Sequence, residues 1–337
     1  MEPPRLMELW QPAFDSGSIE WAGGAILLLR SFYRVDVLDW YWRGLTVTFA
    51  PATLGFDPLG WWTGFQFLTQ LGPLYATWML EDARQAVDGS VPGAALFMFL
   101  GQIFGTGVIV PIYYFLTFVS GSTAADLARL APNREEIQGR LWFRFTPFFL
   151  PLLLSIHLAP VAGAFLASRL ETRHICVWLW FLVPVCLGLG DAILTSFFLL
   201  GQTPKPNYRA TLVVERHLSV LMSLCAGIWM YMLACAPYPL STIFVPNGRN
   251  HDDLVLHSRL VWQSDFLCTF GSAALFLAYQ CIDLYRAGLL EINDWLLAAS
   301  LPVVTASGGP GTAVAAAWLW KERVMQRILS SEVKIPM

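Results

Sequence analysis

The chain has 337 residues, is 56% hydrophobic and only 13% charged, and carries a formal net charge of −3. Soluble domains run near ~25% charged, so this balance excludes an ordinary soluble protein of that length. The small net charge and the lack of a basic stripe exclude a nucleic-acid partner.

In chain order, the first twenty residues carry Glu2, Glu8, Asp15 and Glu20 and no apolar run, so they do not read as a signal peptide. The stretch Trp21–Phe56 mixes Ile26–Leu29 with Arg30, Arg34, Asp36, Asp39 and Arg43. It is too charged to span cleanly and reads as an interfacial helix, with Trp40, Tyr41 and Trp42 at headgroup level; an eighth span is the alternative. Seven charge-poor runs approach or exceed the ~20 residues needed to cross a bilayer. They are Pro58–Leu80, Val91–Val119, Thr146–Ala167, Ile175–Leu200, Leu218–Pro239, Phe266–Ile282 and Trp295–Trp320. The expected organisation is an N-terminal segment over 1–57, an all-α transmembrane bundle over 58–320 and a tail over 321–337. Lys and Arg divide almost evenly between the two faces, so orientation stays open. The most basic connections are Ala124–Arg144 and the tail after Trp320. Gly308-Gly309-Pro310-Gly311 interrupts the last run, as a closely packed kink or as an unwound segment lining a cavity.

The soluble catalytic signatures are missing: there is no GxGxxG after a strand, no Walker loop, no HExxH and no GxSxG. The five histidines form no di-iron boxes. No aspartate-rich diphosphate motif occurs, and His251-Asp252-Asp253 reads as a solvated loop. The six cysteines lie in apolar runs without a CxxC pair, as packing residues do. We therefore expect neither a metal nor an organic cofactor.

What remains is acid chemistry in an aromatic interior. Thr63, Gln66, Gln70, Thr77 and Glu81 fall within ~60° on a 3.6-residue helix, as interhelical amide contacts or as a cavity wall. Asp191 is the only charge in its run, where burial would favour the neutral acid and suit it to proton donation. Packing by hydrogen bonding is the other reading. Asp265 and Asp283 bracket the sixth run about 27 Å apart; Asp283 has Arg286 one turn on, whereas Asp265 has no local cation. Glu215 opens the fifth run, as a helix-start charge or at a cavity rim. Among the 15 Trp, 23 Phe and 10 Tyr, the candidates for a cation-stabilising wall include Trp78, Trp178, Trp229 and Tyr231.

The stretches Trp61–Phe67 and Leu71–Arg84, with Trp262-Gln263-Ser264-Asp265-Phe266, resemble fungal integral-membrane terpene cyclases of meroterpenoid pathways, those of ascochlorin, ascofuranone and macrophorin biosynthesis among them. The resemblance implies protonation of a terminal epoxide or olefin on a farnesylated aromatic, followed by carbocation ring closure without metal. It matches Glu81 and Asp265 to acidic positions of the family. The expectation is thus an isomerase- or lyase-type cyclase of a fungal secondary-metabolism pathway, integral to a membrane, expected to be the endoplasmic reticulum. Asp191, Glu81 or Asp265 would act as the acid, Glu215 as its partner, and Gln66, Gln70, Trp78, Trp178, Trp229 and Tyr231 would line the prenylated aromatic substrate. A transporter or receptor-like protein using the same acids as a proton relay is the rival reading.

Overall fold

A computed structural model describes residues 3–83, 93–121, 148–199, 208–247 and 253–330. Expectations for Ala124–Arg144, Arg84, His251-Asp252 and residues 331–337 lie outside these, as do the outer ends of the Val91–Val119, Thr146–Ala167 and Ile175–Leu200 runs. The described chain is almost entirely helical. Its elements are α1 (Pro3–Ser16), β1 (Ser18–Trp21), β2 (Gly24–Leu27), α2 (Asp36–Thr53), α3 (Pro58–Ala83), α4 (Ala94–Phe104) and α5 (Thr106–Ser120). There follow α6 (Phe149–Leu152), a π-helical turn (Leu153–Leu158), α7 (Ala159–Leu166), α8 (Leu170–Phe181), α9 (Val183–Leu199) and α10 (Tyr208–Cys235). The last elements are α11 (Leu240–Phe244), α12 (Leu254–Arg286), α13 (Ile292–Gly308) and α14 (Pro310–Ser330). The chain divides into two compact units. Unit 1 is Met1–Thr69, Leu154–Val183 and Met232–Leu267; unit 2 is Gln70–Leu153, Pro184–Tyr231 and Cys268–Met337.

The all-α expectation holds, but seven or eight spans do not. Among the described residues three helices are long and apolar enough to cross a membrane: Phe149–Leu166, Val213–Cys235 and Leu254–Arg286. A fourth is reached if α8 and Val183–Leu194, bent by 58° at Leu182, count as one span. The other runs fail for identifiable reasons. Val91–Val119 breaks at Gly105, with φ 90°, leaving two short helices. Trp295–Trp320 breaks at Gly309, with φ 89°. Glycine tolerates that backbone and ends a helix there. Helix α3 is long enough at 26 residues, but Thr63, Gln66, Thr69, Gln70 and Thr77 lower its hydropathy. It is buried in protein nearly throughout.

In unit 1 the N-terminal segment folds as two helices and a hairpin. The β1–β2 hairpin pairs Ser18 with Leu27 through Trp21 with Gly24. Together with α1 and α2 it encloses Trp10, Ile19, Ile26, Leu28, Val47 and Leu54. Trp10 donates its indole N–H to Thr48 at 2.8 Å, and its ring lies where any side chain on Gly44 would stand. Trp40 is exposed as a belt residue would be, but Trp42 is fully buried and stacks on Phe181 at 5.7 Å. A single carboxylate ties the following loop to α2: Asp39 accepts hydrogen bonds from Ser31 Oγ at 2.8 Å, Phe32 N at 3.0 Å and Tyr33 N at 2.9 Å. Burial works against the charge, yet these donors outweigh it and hold the Asp39 pKa below its ordinary 3.8.

Candidate functional site

Unit 1 contains a cavity of about 410 Å³ lined by Gly55, Pro58, Trp61, Trp62, Phe165, Leu166 and Arg173. That volume lies within the ~300–1,000 Å³ of small-molecule sites. Its walls are aromatic. Trp61 and Trp62 meet edge to face at 4.8 Å, Trp61 meets Phe165 edge to face at 6.2 Å, and the Trp61 indole N–H donates to the Phe165 carbonyl at 3.2 Å. Gly64 lets Phe165 and Trp262 come within 3.2 and 3.3 Å of where a Cβ would lie, so the wall packs directly on the α3 backbone.

The start of α3 is locked beside this cavity. Asp57 and Pro58 form the cap-and-proline pair expected at a helix start; Asp57 Oδ1 accepts from Leu59 N at 3.2 Å. The same carboxylate, 1% exposed, takes a two-pronged ion pair from Arg259, Nε to Oδ2 at 2.7 Å and Nη2 to Oδ1 at 2.6 Å. The fork geometry suits guanidinium and carboxylate. Arg173 is held differently, with Nε on the Ala167 carbonyl at 2.6 Å and Nη1 on the Thr53 carbonyl at 3.2 Å. Neither Asp57, Arg259 nor Arg173 was singled out from the sequence. The Asp-Pro helix start was a visible signal for Asp57; nothing local marks the two arginines, whose partners are remote in sequence.

The residues singled out from the sequence scatter. Trp178 and Asp265 fall in unit 1. Trp178 is fully buried, stacks on Phe32 at 5.7 Å, and its carbonyl accepts the Tyr33 hydroxyl. Asp265 is half-buried on α12. Gln66 is also in unit 1 and fully buried. A buried histidine there is structural: His157 in the π-helical turn holds the Leu68 carbonyl with Nε2 at 2.9 Å and faces the Trp180 indole N–H with Nδ1 at 3.3 Å. Both ring nitrogens are thereby satisfied by a neutral imidazole. Pro160, which has no N–H to offer the preceding turn, accounts for the local widening.

In unit 2, Glu81 Oε1 accepts from the Trp318 indole at 2.7 Å and from Lys321 Nζ at 3.0 Å. Lys321 also reaches Glu322 at 3.3 Å. An ammonium and an indole N–H on one oxygen suit a carboxylate anion. Glu215 pairs with Arg323 at 3.0 Å. Asp191 is half-buried on α9. Trp78 is buried, stacked on Tyr113 at 3.8 Å and donating to the Tyr114 hydroxyl at 3.2 Å. Trp229 donates to the Ala306 carbonyl at 3.0 Å, and Tyr231 is 55% exposed. Gln70 fills the glycine break: its Nε2 donates to the Cys225 carbonyl at 3.2 Å and its Oε1 accepts from Thr312 N at 3.2 Å. Side chains on Gly309 or Gly311 would collide with Gln70. Of the two readings of that break, the geometry is the closely packed kink.

A family model described as the CtvD domain matches residues 6–325. FAD-dependent monooxygenase verC1 of Penicillium polonicum is 24% identical over 336 residues, covering 93% of this chain and 39% of its own. FAD-dependent monooxygenase anuJ of Penicillium roqueforti is 28% identical over 308 residues, covering 87% and 36%. FAD-dependent monooxygenase BOA8 of Botryotinia fuckeliana is 24% identical over 275 residues, covering 76% and 33%. The chain thus spans between a third and two fifths of the length of these curated relatives. No solved structure matches. These findings correct the terpene-cyclase expectation. The fungal source of the relatives agrees with it, but their names denote oxidoreductases, not isomerases or lyases, and they give the transporter alternative no support.

The relatives' names imply a flavin dinucleotide, and the described residues do not fit one. Pyrophosphate is usually held by a glycine turn between a strand and a helix, on free backbone N–H groups. Here the sheet among the described residues is a single hairpin. The glycine-rich start of α14 has Thr312 N occupied by Gln70, with no room beside Gly309 and Gly311.

Proposed function

The chain belongs to the CtvD domain family, and we propose from that premise that it works in the monooxygenation of a small apolar molecule. Its part is that of an apolar helical module that binds and positions the substrate, in a membrane, with the aromatic cavity of unit 1 as the binding place. The observation that carries this reading is the span of the alignments: nearly the whole chain corresponds to a segment of proteins named FAD-dependent monooxygenases. Three membrane-length apolar helices support the membrane setting, and endoplasmic reticulum is the location we propose. The indoles of Trp61 and Trp62 at the lining support an aromatic substrate; a prenylated one is the finer proposal.

Within this reading each group has a defined task. Arg259 and Asp57 fix the start of α3, and so the positions of Trp61 and Trp62. The aromatic wall orients a flat body by its face. Arg173 supplies the one cation of the cavity lining. The test is deletion of the gene in its host, followed by metabolite mass spectrometry. The expected result is loss of an oxygenated product and accumulation of its precursor lacking one oxygen. An unchanged set of oxygenated products would overturn the reading.

A further inference from the structure

Arg173 differs from Arg259 in its counter-charge. Arg259 has the Asp57 carboxylate. Arg173 is half-buried in an aromatic cavity, and its contacts among the described residues are two backbone carbonyls, which spend Nε and Nη1 and leave Nη2 without a partner. Carbonyl dipoles orient a guanidinium without neutralising it, so an anion reaching Arg173 meets a half-buried, oriented cation with no carboxylate on it among the described residues. The neighbouring geometry leaves the site room: Gly55, at φ 86°, sits where a Cβ would lie 3.3 Å from Arg173 Nη1.

We propose that this cavity takes a ligand with a flat aromatic or conjugated body and one acidic oxygen, a carboxylate, phenolate or enolate. The oxygen meets Arg173, and the body lies on the accessible part of Trp61, which Trp62 and the buried Phe165 hold in place. Carboxylates and enolates are the natural complement of a guanidinium whose orientation is already fixed. Flat π-faces match edge-to-face indoles better than flexible acyl chains do. The inference rests on the reading that the chain handles a small-molecule substrate, and it names the chemical class. An anionic lipid headgroup offers the same charge, so the test separates the two.

The experiment is calorimetric titration of the full chain in neutral detergent with naphthoate, its neutral analogue naphthalenemethanol, and non-planar cyclohexanecarboxylate. The expected order is naphthoate first, about tenfold or more above either control. Arg173→Gln should erase the advantage of naphthoate over the alcohol while leaving the alcohol unchanged. Trp61→Leu should weaken both flat ligands by a larger factor than it weakens cyclohexanecarboxylate. Circular dichroism reports whether each variant is folded; if Arg173→Gln is not, the wild-type order and Trp61→Leu decide. Equal affinity for the three ligands, or a charge preference that survives in folded Arg173→Gln, overturns the proposal. So does displacement of naphthoate by phosphatidylserine, but not phosphatidylcholine, nanodiscs, which would make this a headgroup site. Loss of oxygenation on gene deletion without a charge preference removes this inference alone. A charge preference with oxygenation untouched by deletion removes the functional reading alone.

Discussion

The two units treat their polar groups in opposite ways. Unit 2 closes three of the polar groups that its apolar sequence makes conspicuous. Gln70 plugs the glycine break, Glu81 is shared by Lys321 and Trp318, and Glu215 is tied to Arg323. Unit 1 locks one ion pair at the start of α3 and leaves a second arginine facing an aromatic cavity with only carbonyls on it. The comparison teaches that an acid in an apolar sequence marks a function only once its partners are known. Glu81, Glu215 and Gln70 are closed contacts, and the open group, Arg173, lies about one and a half turns from the candidate Trp178 on α8.

The sharpest way to break the comparison is Asp57→Ala. It strands Arg259 and removes the α3 cap together, so a loss of about 3–5 kcal/mol in chemical unfolding is expected. A loss below about 1 kcal/mol would show that the start of α3 is not locked by this pair. Gly311→Ala tests the plug in unit 2. The added methyl meets the Gln70 backbone, which should cost about 1–3 kcal/mol; a neutral result would mean the break is loose enough to line a cavity after all.

Much of the architecture was readable beforehand, and the misreadings share a cause. The apolar runs Thr146–Ala167, Leu218–Pro239 and Phe266–Ile282 fall on the membrane-length helices Phe149–Leu166, Val213–Cys235 and Leu254–Arg286, the last extending well before its run. Hydropathy overcounted at α3, because a helix enclosed by protein and one enclosed by lipid both exclude charge. The polar stripe of Thr63, Gln66 and Gln70 was visible as a stripe, but its partners, such as the Ile243 carbonyl for Thr63 at 2.8 Å, depend on contacts far apart in the sequence. The hairpin was missed because Ser18–Leu27 is short and its Ala22-Gly23 turn was absorbed into an interfacial helix. Arg173 was invisible for the same reason as Arg259: nothing near it in sequence says which carbonyl or carboxylate it meets.

Asp39 sharpens the account of unit 1 at its N-terminal side. Its pKa is lowered on folding, so its contribution is present above the ordinary value and fades as pH falls through the lower folded value. Asp39→Asn should cost about 1–2 kcal/mol at neutral pH, as charged acceptors of three donors become neutral. The gap to wild type should close below about pH 4. A gap that stays constant with pH would show that shape, not charge, matters there. The smallest expected effect is in unit 2. Glu81→Gln breaks a partly exposed pair with Lys321 and should cost no more than about 1 kcal/mol, leaving product oxygenation intact. Abolished oxygenation in a folded Glu81→Gln protein would return Glu81 to the chemistry and reverse the contrast between the units.

The central claim is that this chain serves oxygen insertion. The most direct measurement is isotope incorporation in the gene-deletion host, complemented or not with the chain and grown under heavy-isotope dioxygen. The account predicts that heavy oxygen enters the product only when the chain is present. Equal labelling with and without it, or a product that forms only with the chain yet contains no oxygen from the gas, would contradict the account.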